Sequence, residues 1–412
     1  MSWLLMGMDG PVNVGIIERL PKPEIGAAAF AVLISLSIWI ESPIIDLLAT
    51  ATTLASSASR YRLLRKFVVS LIIWVTAVHA MVSATPLYWV VTEHIMGLPH
   101  SLAACVRPGL IVLIPWSALI GWRRAHQGVM IRSGLTKAIG IGTTLRGITL
   151  VGVALGLMVL TPGISSVVIA AMALISSVAV EACFVHFVSA SAVQALPQEG
   201  ANSTLTTSKL WGFHFPLTAT TMVNLLVGPL VAAGLARTPD PIRALASYQV
   251  ASAFFFLFRM ITFCLPEVVI TLGKDPQSLA ALRRFSLGIG LMGSSLMLTM
   301  AVTRSDEYLF RVLLRTPIDL LPMAHLTFLG CCALPLIDSA QSFVRGVLTA
   351  QHRTTARLVA VGAATAGLMA TLLLGLMLKW PAYVLVGSAI TASIACELVV
   401  LVLAVQKPAP QH

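Results

Sequence analysis

Charge is what this sequence has least of. Asp, Glu, Lys and Arg make up only 10% of its 412 residues, where a soluble domain carries about 25%. That shortage excludes a large soluble domain. The longest polar stretch, Pro197 to Lys209 (PQEGANSTLTTSK), reads as a loop. Organised cysteine is also missing. Cys105, Cys183, Cys264, Cys331, Cys332 and Cys396 lie mostly within apolar runs and show neither disulfide nor zinc-ligand spacing, so they read as small buried hydrophobes. Catalytic motifs are lacking too: there is no Walker A, HExxH or GxSxG pattern. GIGTTLRG (Gly140 to Gly147) has a glycine-rich look, but it lies inside an apolar span with no preceding strand. It reads as close helix contact through small residues. The expectation is therefore a non-enzyme with no metal and no cofactor.

Apolar residues fill the space. They make up 57% of the chain, and runs of about 20 recur along its length, as membrane spans require. Twelve spans can be read. The loops between them alternate in charge: Arg60, Arg62, Arg65 and Lys66 follow the second span, and Arg123, Arg124, Arg132 and Lys137 surround the end of the fourth. Lys274, Arg283 and Arg284 follow the eighth, and Arg353 and Arg357 the tenth. The intervening loops balance basic residues against acidic ones. By the positive-inside tendency both termini are cytoplasmic, and the net charge of +11 reflects loop placement rather than nucleic-acid binding. The expected setting is the lipid bilayer of a bacterial inner membrane, with a monomer as the expected state.

The chain also repeats itself. MDGPVNVGIIERLPKP, from Met8, and LVGPLVAAGLARTPDP, from Leu226, match at Gly10/Gly228, Pro11/Pro229, Arg19/Arg237, Pro21/Pro239 and Pro23/Pro241. The same offset of 218 relates Gly128-Val129 to Gly346-Val347 and Ala138 to Ala356. Pro115/Pro335 and Glu181/Glu397 match with a slip of two. The fold expected is an all-α membrane protein with twelve transmembrane helices in two parallel six-helix repeats. Residues 1–195 form the first lobe, 196–209 a cytoplasmic inter-lobe loop and 210–412 the second lobe. Met1 maps onto Ala219, yet the seventh span begins near Thr206. The first helix thus looks about a dozen residues short; either the true start lies upstream or the helix is truncated.

Ionisable residues at membrane depth are costly and point to function. Glu41 sits deep in SLSIWIESPIID, just before Pro43, and its repeat equivalent is Arg259 in FFFLFRMITF. Opposite charges at equivalent places read either as a pair that opens and closes around a charged solute or as a static ion pair that fixes packing. Asp9 and Asn13 share a helix face around Gly10-Pro11. Pro11, Pro43, Pro229 and Pro266 mark helix breaks that free backbone carbonyls. His79 reads as a proton relay or as a hydrogen-bonded core histidine. Arg146 and Arg345 add positive charge at depth, with Asp338 as a candidate partner for Arg345. Arg123, Arg124 and His126 read as the cytoplasmic end of the fourth span, and Glu181 and Glu397 as boundary residues.

Three stretches carry a family resemblance: NVGI at Asn13 to Ile16, AVHAMVSATPLYWVVTEHIMGLP around His79, and PWSALIGWRRAHQGVMIRSG at Pro115 to Gly134. With the six-plus-six plan, the chain resembles the multidrug and toxic compound extrusion (MATE) fold of the MOP flippase superfamily. It looks closest to the progressive ankylosis (ANK) family, over about residues 8–150. The resemblance implies alternating access. Its MATE side implies proton or sodium coupling through carboxylates, roles that Asp9 and Glu41 would fill here. Its ANK side implies an organic or phosphate-rich anion, which Arg146, Arg259 and Arg345 suit electrostatically. Asn13 and His79 are the matched positions.

The reading is a secondary exporter of a small anionic solute. A flippase for a lipid-linked precursor and a multidrug cation exporter are the alternatives within transport. A membrane enzyme or scaffold is the alternative outside it.

Overall fold

The structure, a computed structural model, describes residues 7–161, 163–198, 205–351 and 353–406. Met1 to Met6, on which the short-first-helix expectation turns, and 199–204 of the expected inter-lobe loop lie outside the described residues. Among those described, the chain is helical and has no strand.

α1 (Asp9–Ile17) leads into a second span in three pieces, α2 (Pro23–Ile40), α3 (Ser42–Ile45) and α4 (Leu47–Leu54). α5 (Ala58–Ala84) is the third span. α6 (Leu87–Trp89) and a π-helical turn over Val90–Ile95 follow it. The fourth span bends by 46° between α7 (His100–Val112) and α8 (Trp116–Arg132). α9 (Thr136–Leu160) and α10 (Ser166–Gln194) end the first half. The second half opens with α11 (Thr207–Leu225) and α12 (Val227–Ala236). Next come α13 (Pro241–Met260), a 3-10 turn over Ile261–Cys264 and α14 (Leu265–Leu272). α15 (Pro276–Val302) is followed by α16 (Ser305–Leu309) and a second π-helical turn, Phe310–Leu314. α17 (Leu321–Gly330), α18 (Leu334–Ala350), α19 (Thr354–Met377) and α20 (Ala382–Gln406) complete the chain.

Ten helices among the described residues are long and apolar enough to cross a membrane, eleven with the bent α7–α8 pair taken as one span. α1 is the remaining one of the twelve expected, with nine described residues. Large apolar side chains such as Ile73, Trp74, Val159, Phe187, Val302 and Met377 stand exposed. In water such a surface would be an aggregation hazard; in lipid it is the solvated face. The chain is a multipass membrane protein.

The repeat is visible in local geometry. Helix breaks fall at Met8 and at Leu226, each three residues before a proline, Pro11 or Pro229. Proline has no N–H for the carbonyl four residues back, and its ring crowds that carbonyl. The second span breaks around Glu41 and Asp46, the eighth at Ile261–Cys264. π-helical turns are rare, yet one follows the third span and another the ninth.

The Arg-x-Pro-x-Pro signature has a physical role. Arg19 donates to the carbonyl of Gly15, one turn back in its own helix, and to Leu313 O at 2.9 Å. Arg237 donates to Ala233 O at 2.8 Å and to Met96 O at 2.6 Å. Each arginine caps its helix C-terminus and staples it to a π-helical turn or the loop just after one. Gly97 lies against the Arg237 guanidinium with Cζ 3.2 Å from where a Cβ would stand, at φ +77°, a place only glycine fills freely. The last proline of each signature, Pro23 or Pro241, is the first residue of the next helix, where its missing N–H costs nothing.

The repeated glycines are close-contact points. A Cβ on Gly128 would stand 2.5 Å from Ala51 Cβ and 2.7 Å from Leu48 O. On Gly346 it would stand 2.7 Å from Val269 Cβ, the repeat equivalent of Ala51. The chain divides into two compact units that cut across the sequence repeats. Unit 1 holds Met1–Asp9, Val32–Ile95 and Pro99–Pro229; unit 2 holds Gly10–Ala31, Met96–Leu98 and Leu230–His412. In unit 1, Ile44, Leu47, Leu64, Val68, Val129 and Leu210 form a buried apolar cluster. Gly128→Ala should lower the unfolding temperature in detergent by the equivalent of about 1–3 kcal/mol of overpacking. Gly140→Ala, with nothing within 4 Å of the added Cβ, should not lower it; equal effects would refute the close-contact role.

Candidate functional site

Unit 1 holds a buried charge network built from four helices. α10 contributes Glu181, which is 0% exposed. Arg123 of α8 donates to its Oε2, and Gln127, one turn on, donates to its Oε1 at 3.1 Å. Arg146 of α9 reaches the same Oε2 with Nε at 3.6 Å and pairs with Asp9, the first residue of α1. Burial makes this arrangement obligatory. A carboxylate out of water must be met by donors and a counter-charge, or it costs several kcal/mol. Two expectations are corrected here. Arg123 and Glu181 are not solvated boundary residues but a fully enclosed ion pair, with side chains 3% and 1% exposed.

Glu41 sits at the break between α2 and α3 and is 3% exposed. Arg123 and Arg124 are the cationic groups that act on it electrostatically. Its Oε2 has no hydrogen-bond partner, and neither has Nε of Arg124. Asp9, Glu41 and Glu181 thus balance Arg123, Arg124 and Arg146 in formal charge. Arg123 and Arg146 are gripped by carboxylates, whereas Arg124 forms no ion pair among the described residues.

Pro43 opens the second span as its chemistry requires, and the carbonyl of Pro43 itself is recaptured. His214 of α11 donates from Nε2 to that oxygen at 2.9 Å. Its Nδ1 lies 2.9 Å from the Thr50 hydroxyl, which is also 3.1 Å from the Asp46 carbonyl. Thr218 lies 3.5 Å from the Pro43 carbonyl. His79, fully buried in α5, likewise donates from Nε2 to Leu110 O at 3.1 Å, tying the third span to the end of α7 beside the bend.

Unit 2 holds Arg259 and Asn13. Arg259 of α13 grips Asp338 of α18 with both Nε and Nη2, the latter at 3.2 Å. Arg345 of α18 grips Glu397 of α20, with Nε at 2.7 Å. The expected Asp338–Arg345 pairing is therefore replaced by two separate pairs, and Glu397 is buried rather than solvated. Asn13 is 1% exposed. Glu41 and Arg259 belong to different compact units, each with local charge neighbours. Sequence reading also missed Gln127, His214 and the buried Asp306–His325 pair, 2.8 Å apart, and it placed Arg124 at a span end rather than beside Glu41. The signal for Gln127 was present: its repeat equivalent is Arg345, and that of Arg123 is Gln341.

These elements make an all-α bundle of two helical repeats with broken first, second, seventh and eighth spans. Neither a protein-family model nor a curated protein sequence matches the chain. Solved structures do share its fold. An inward-facing multidrug resistance MATE family transporter of the MOP superfamily superposes with a TM-score of 0.73 at 12% identity, covering 98% of this chain and 93% of the other. Lipid II flippase MurJ, in an inward closed conformation, gives 0.73 at 12% identity, with 98% and 86% covered. A mutant of the Vibrio cholerae MATE transporter VcmN gives 0.63 at 15% identity, with 98% and 97% covered. The chain has the MATE-like fold of these proteins. The likeness to the progressive ankylosis family rests on the short motifs alone.

One further buried acid lies in unit 2, in the turn between α1 and α2. Glu18 is 5% exposed and neither carboxyl oxygen has a hydrogen-bond partner. Burial, helped by the nearby Glu24 charge, pushes its carboxyl up to about 8. The folded state then holds a proton that the unfolded chain releases near pH 4.5, so this contribution to stability falls as pH rises from there towards 8. Glu18→Gln should raise the unfolding temperature above pH 8 and leave it unchanged near pH 4.5; a pH-independent difference would refute the assignment. Glu181→Gln weakens two guanidinium contacts at once and should cost about 3–5 kcal/mol, the range for breaking a buried pair. Chemical denaturation in detergent reads this directly, and a loss below about 1 kcal/mol, as for a solvated surface pair, would contradict the buried network.

Proposed function

We propose that the protein is a secondary active exporter of a small anionic organic or phosphate-containing solute, working by alternating access of its two six-helix repeats. One observation carries the reading. A transporter-type fold holds a buried, charge-balanced network in which Glu41 keeps an oxygen without a donor and Arg124 keeps its charge without an ion pair. Arg124 offers a guanidinium group to a carboxylate or phosphate. Glu41 offers an oxygen to a proton or a sodium ion, which makes it the coupling residue. Asp9 and Arg146 exchange partners within the network as solute enters.

A second reading, export of an organic cation, is favoured by one fact. Arg123, Arg146, Arg259 and Arg345 are already held by carboxylates, whereas Glu41 Oε2 has no donor. Anionic metabolites in the medium of cells with and without the gene, followed by uptake into inverted membrane vesicles, separate the two. The expected result is gradient-dependent transport of an anion. It should be lost on Arg124→Ala and slowed on the order of tenfold or more by Glu41→Gln, a barrier change of about 1.4 kcal/mol per decade. Transport indifferent to both proton and sodium gradients, or unchanged in Glu41→Gln, ends the coupling proposal. Cation transport that survives Arg124→Ala ends the anion reading.

A further inference from the structure

Unit 2 contains a cavity of about 640 Å³ between α15, α18 and α20. Its walls are apolar, with Leu287, Phe343, Val344, Leu398 and Val402 among them. Arg283 and Gln406 are its strongly polar members.

Arg283, an exposed side chain on the wall of this groove, has no carboxylate partner among the described residues. Arg123, Arg146, Arg259 and Arg345 each bind a carboxylate. Arg283 makes no ion pair and no hydrogen bond among the described residues. It is the eighth residue of α15, so it lies roughly 10 Å along the helix from Pro276 at 1.5 Å per residue. That is a depth at which an arginine runs its stem along apolar surface and lifts its charge to the headgroup layer. Lys274 and Arg284 flank it in sequence and add positive charge at the same end.

A guanidinium with no protein counter-ion, on the wall of a greasy groove, suits an anionic amphiphile such as a molecule with a phosphate and an acyl chain. We infer that this groove binds an anionic phospholipid, its phosphate on Arg283 and Gln406 and one acyl chain along Phe343, Val344 and Val402. Guanidinium and phosphate form strong bidentate contacts. Basic pockets between transmembrane helices favour lipids with net negative headgroups. A zwitterionic lipid offers the same phosphate but brings its ammonium towards Lys274 and Arg284, and is disfavoured. The site lies wholly within unit 2 and shares no residue with the network around Glu41, so it stands or falls apart from the transport reading.

Native mass spectrometry of the detergent-purified chain tests this, with phosphatidylglycerol and phosphatidylcholine of identical acyl chains as probes. The expected result is about fivefold preference for phosphatidylglycerol, the advantage conferred by roughly one basic residue near a charged headgroup. Arg283→Ala should abolish the preference, while Arg284→Ala, whose side chain does not line the groove, should retain most of it. Val344→Trp, which fills the groove, should reduce retention of both lipids. Equal retention of the two lipids by the wild-type chain overturns the proposal. So does an equal loss in Arg283→Ala and Arg284→Ala, which would mean diffuse surface charge, or unchanged retention in Val344→Trp.

Discussion

The Glu181 carboxylate and the donors that surround it are what the rest of unit 1 depends on. A charge held this far from water is tolerable only if its oxygens are met from several directions. Those donors come from α8 and α9, and Arg146 carries the chain of contacts on to Asp9 in α1. Apolar contact between transmembrane helices has no hydrophobic drive, because lipid is as greasy as the helix surface. Polar ties of this kind therefore set which helices are neighbours and in what register. The close-contact glycines then decide how near they come.

The two halves keep these contacts while exchanging the residues that make them. Arg123 and Gln127 in α8 correspond to Gln341 and Arg345 in α18, so the arginine and the glutamine trade places one turn apart. In each half the arginine binds the carboxylate of the last helix, Glu181 or Glu397. The second span carries Glu41 against Arg123 and Arg124 of the fourth, while the eighth carries Arg259 against Asp338 of the tenth. Even the steric pairs swap. Gly121 receives Ile72 in one half, and Gly290 receives Ser339 in the other. What duplication preserved is the demand at each interface for one small partner, or for one charge of each sign. Either side can satisfy it.

That exchange explains what could be read from the sequence and what could not. The span pattern and the Gly-Pro and Arg-x-Pro-x-Pro signatures needed only local rules, because proline acts on its own helix and Arg19 and Arg237 cap theirs. The depth of the charges at Glu41, Arg146 and Arg259 was legible for the same reason. Partner choice was not. Asp338 and Arg345 share a helix and looked like a pair, but each is claimed by another helix, Asp338 by Arg259 and Arg345 by Glu397. Arg123 and Glu181 looked like boundary residues, because hydropathy cannot tell a lipid boundary from a bundle interior; in fact each sits near the middle of its helix. Residue identity also hid the Gln127–Arg345 correspondence, since a neutral amide and a guanidinium do not look like the same function. As hydrogen-bond donors to a carboxylate, they are.

The breaks in the helices bear on how an ion would be recognised. In many broken spans the freed carbonyls themselves become ligands. In unit 1 the carbonyls at two such places are already engaged: Pro43 O by His214, with Thr218 nearby, and Leu110 O by His79. Among the described residues, two carboxylate oxygens along the broken second span are left open, Glu41 Oε2 at one break and Asp46 Oδ2 at the next. A carboxylate differs from a carbonyl in one decisive way: it takes up a proton as readily as it takes up a metal cation. Recognition centred on Glu41 would therefore admit proton coupling and sodium coupling through one oxygen, whereas a carbonyl cage would admit only the metal. The histidines at the breaks, by occupying the backbone, leave that choice to the carboxylate.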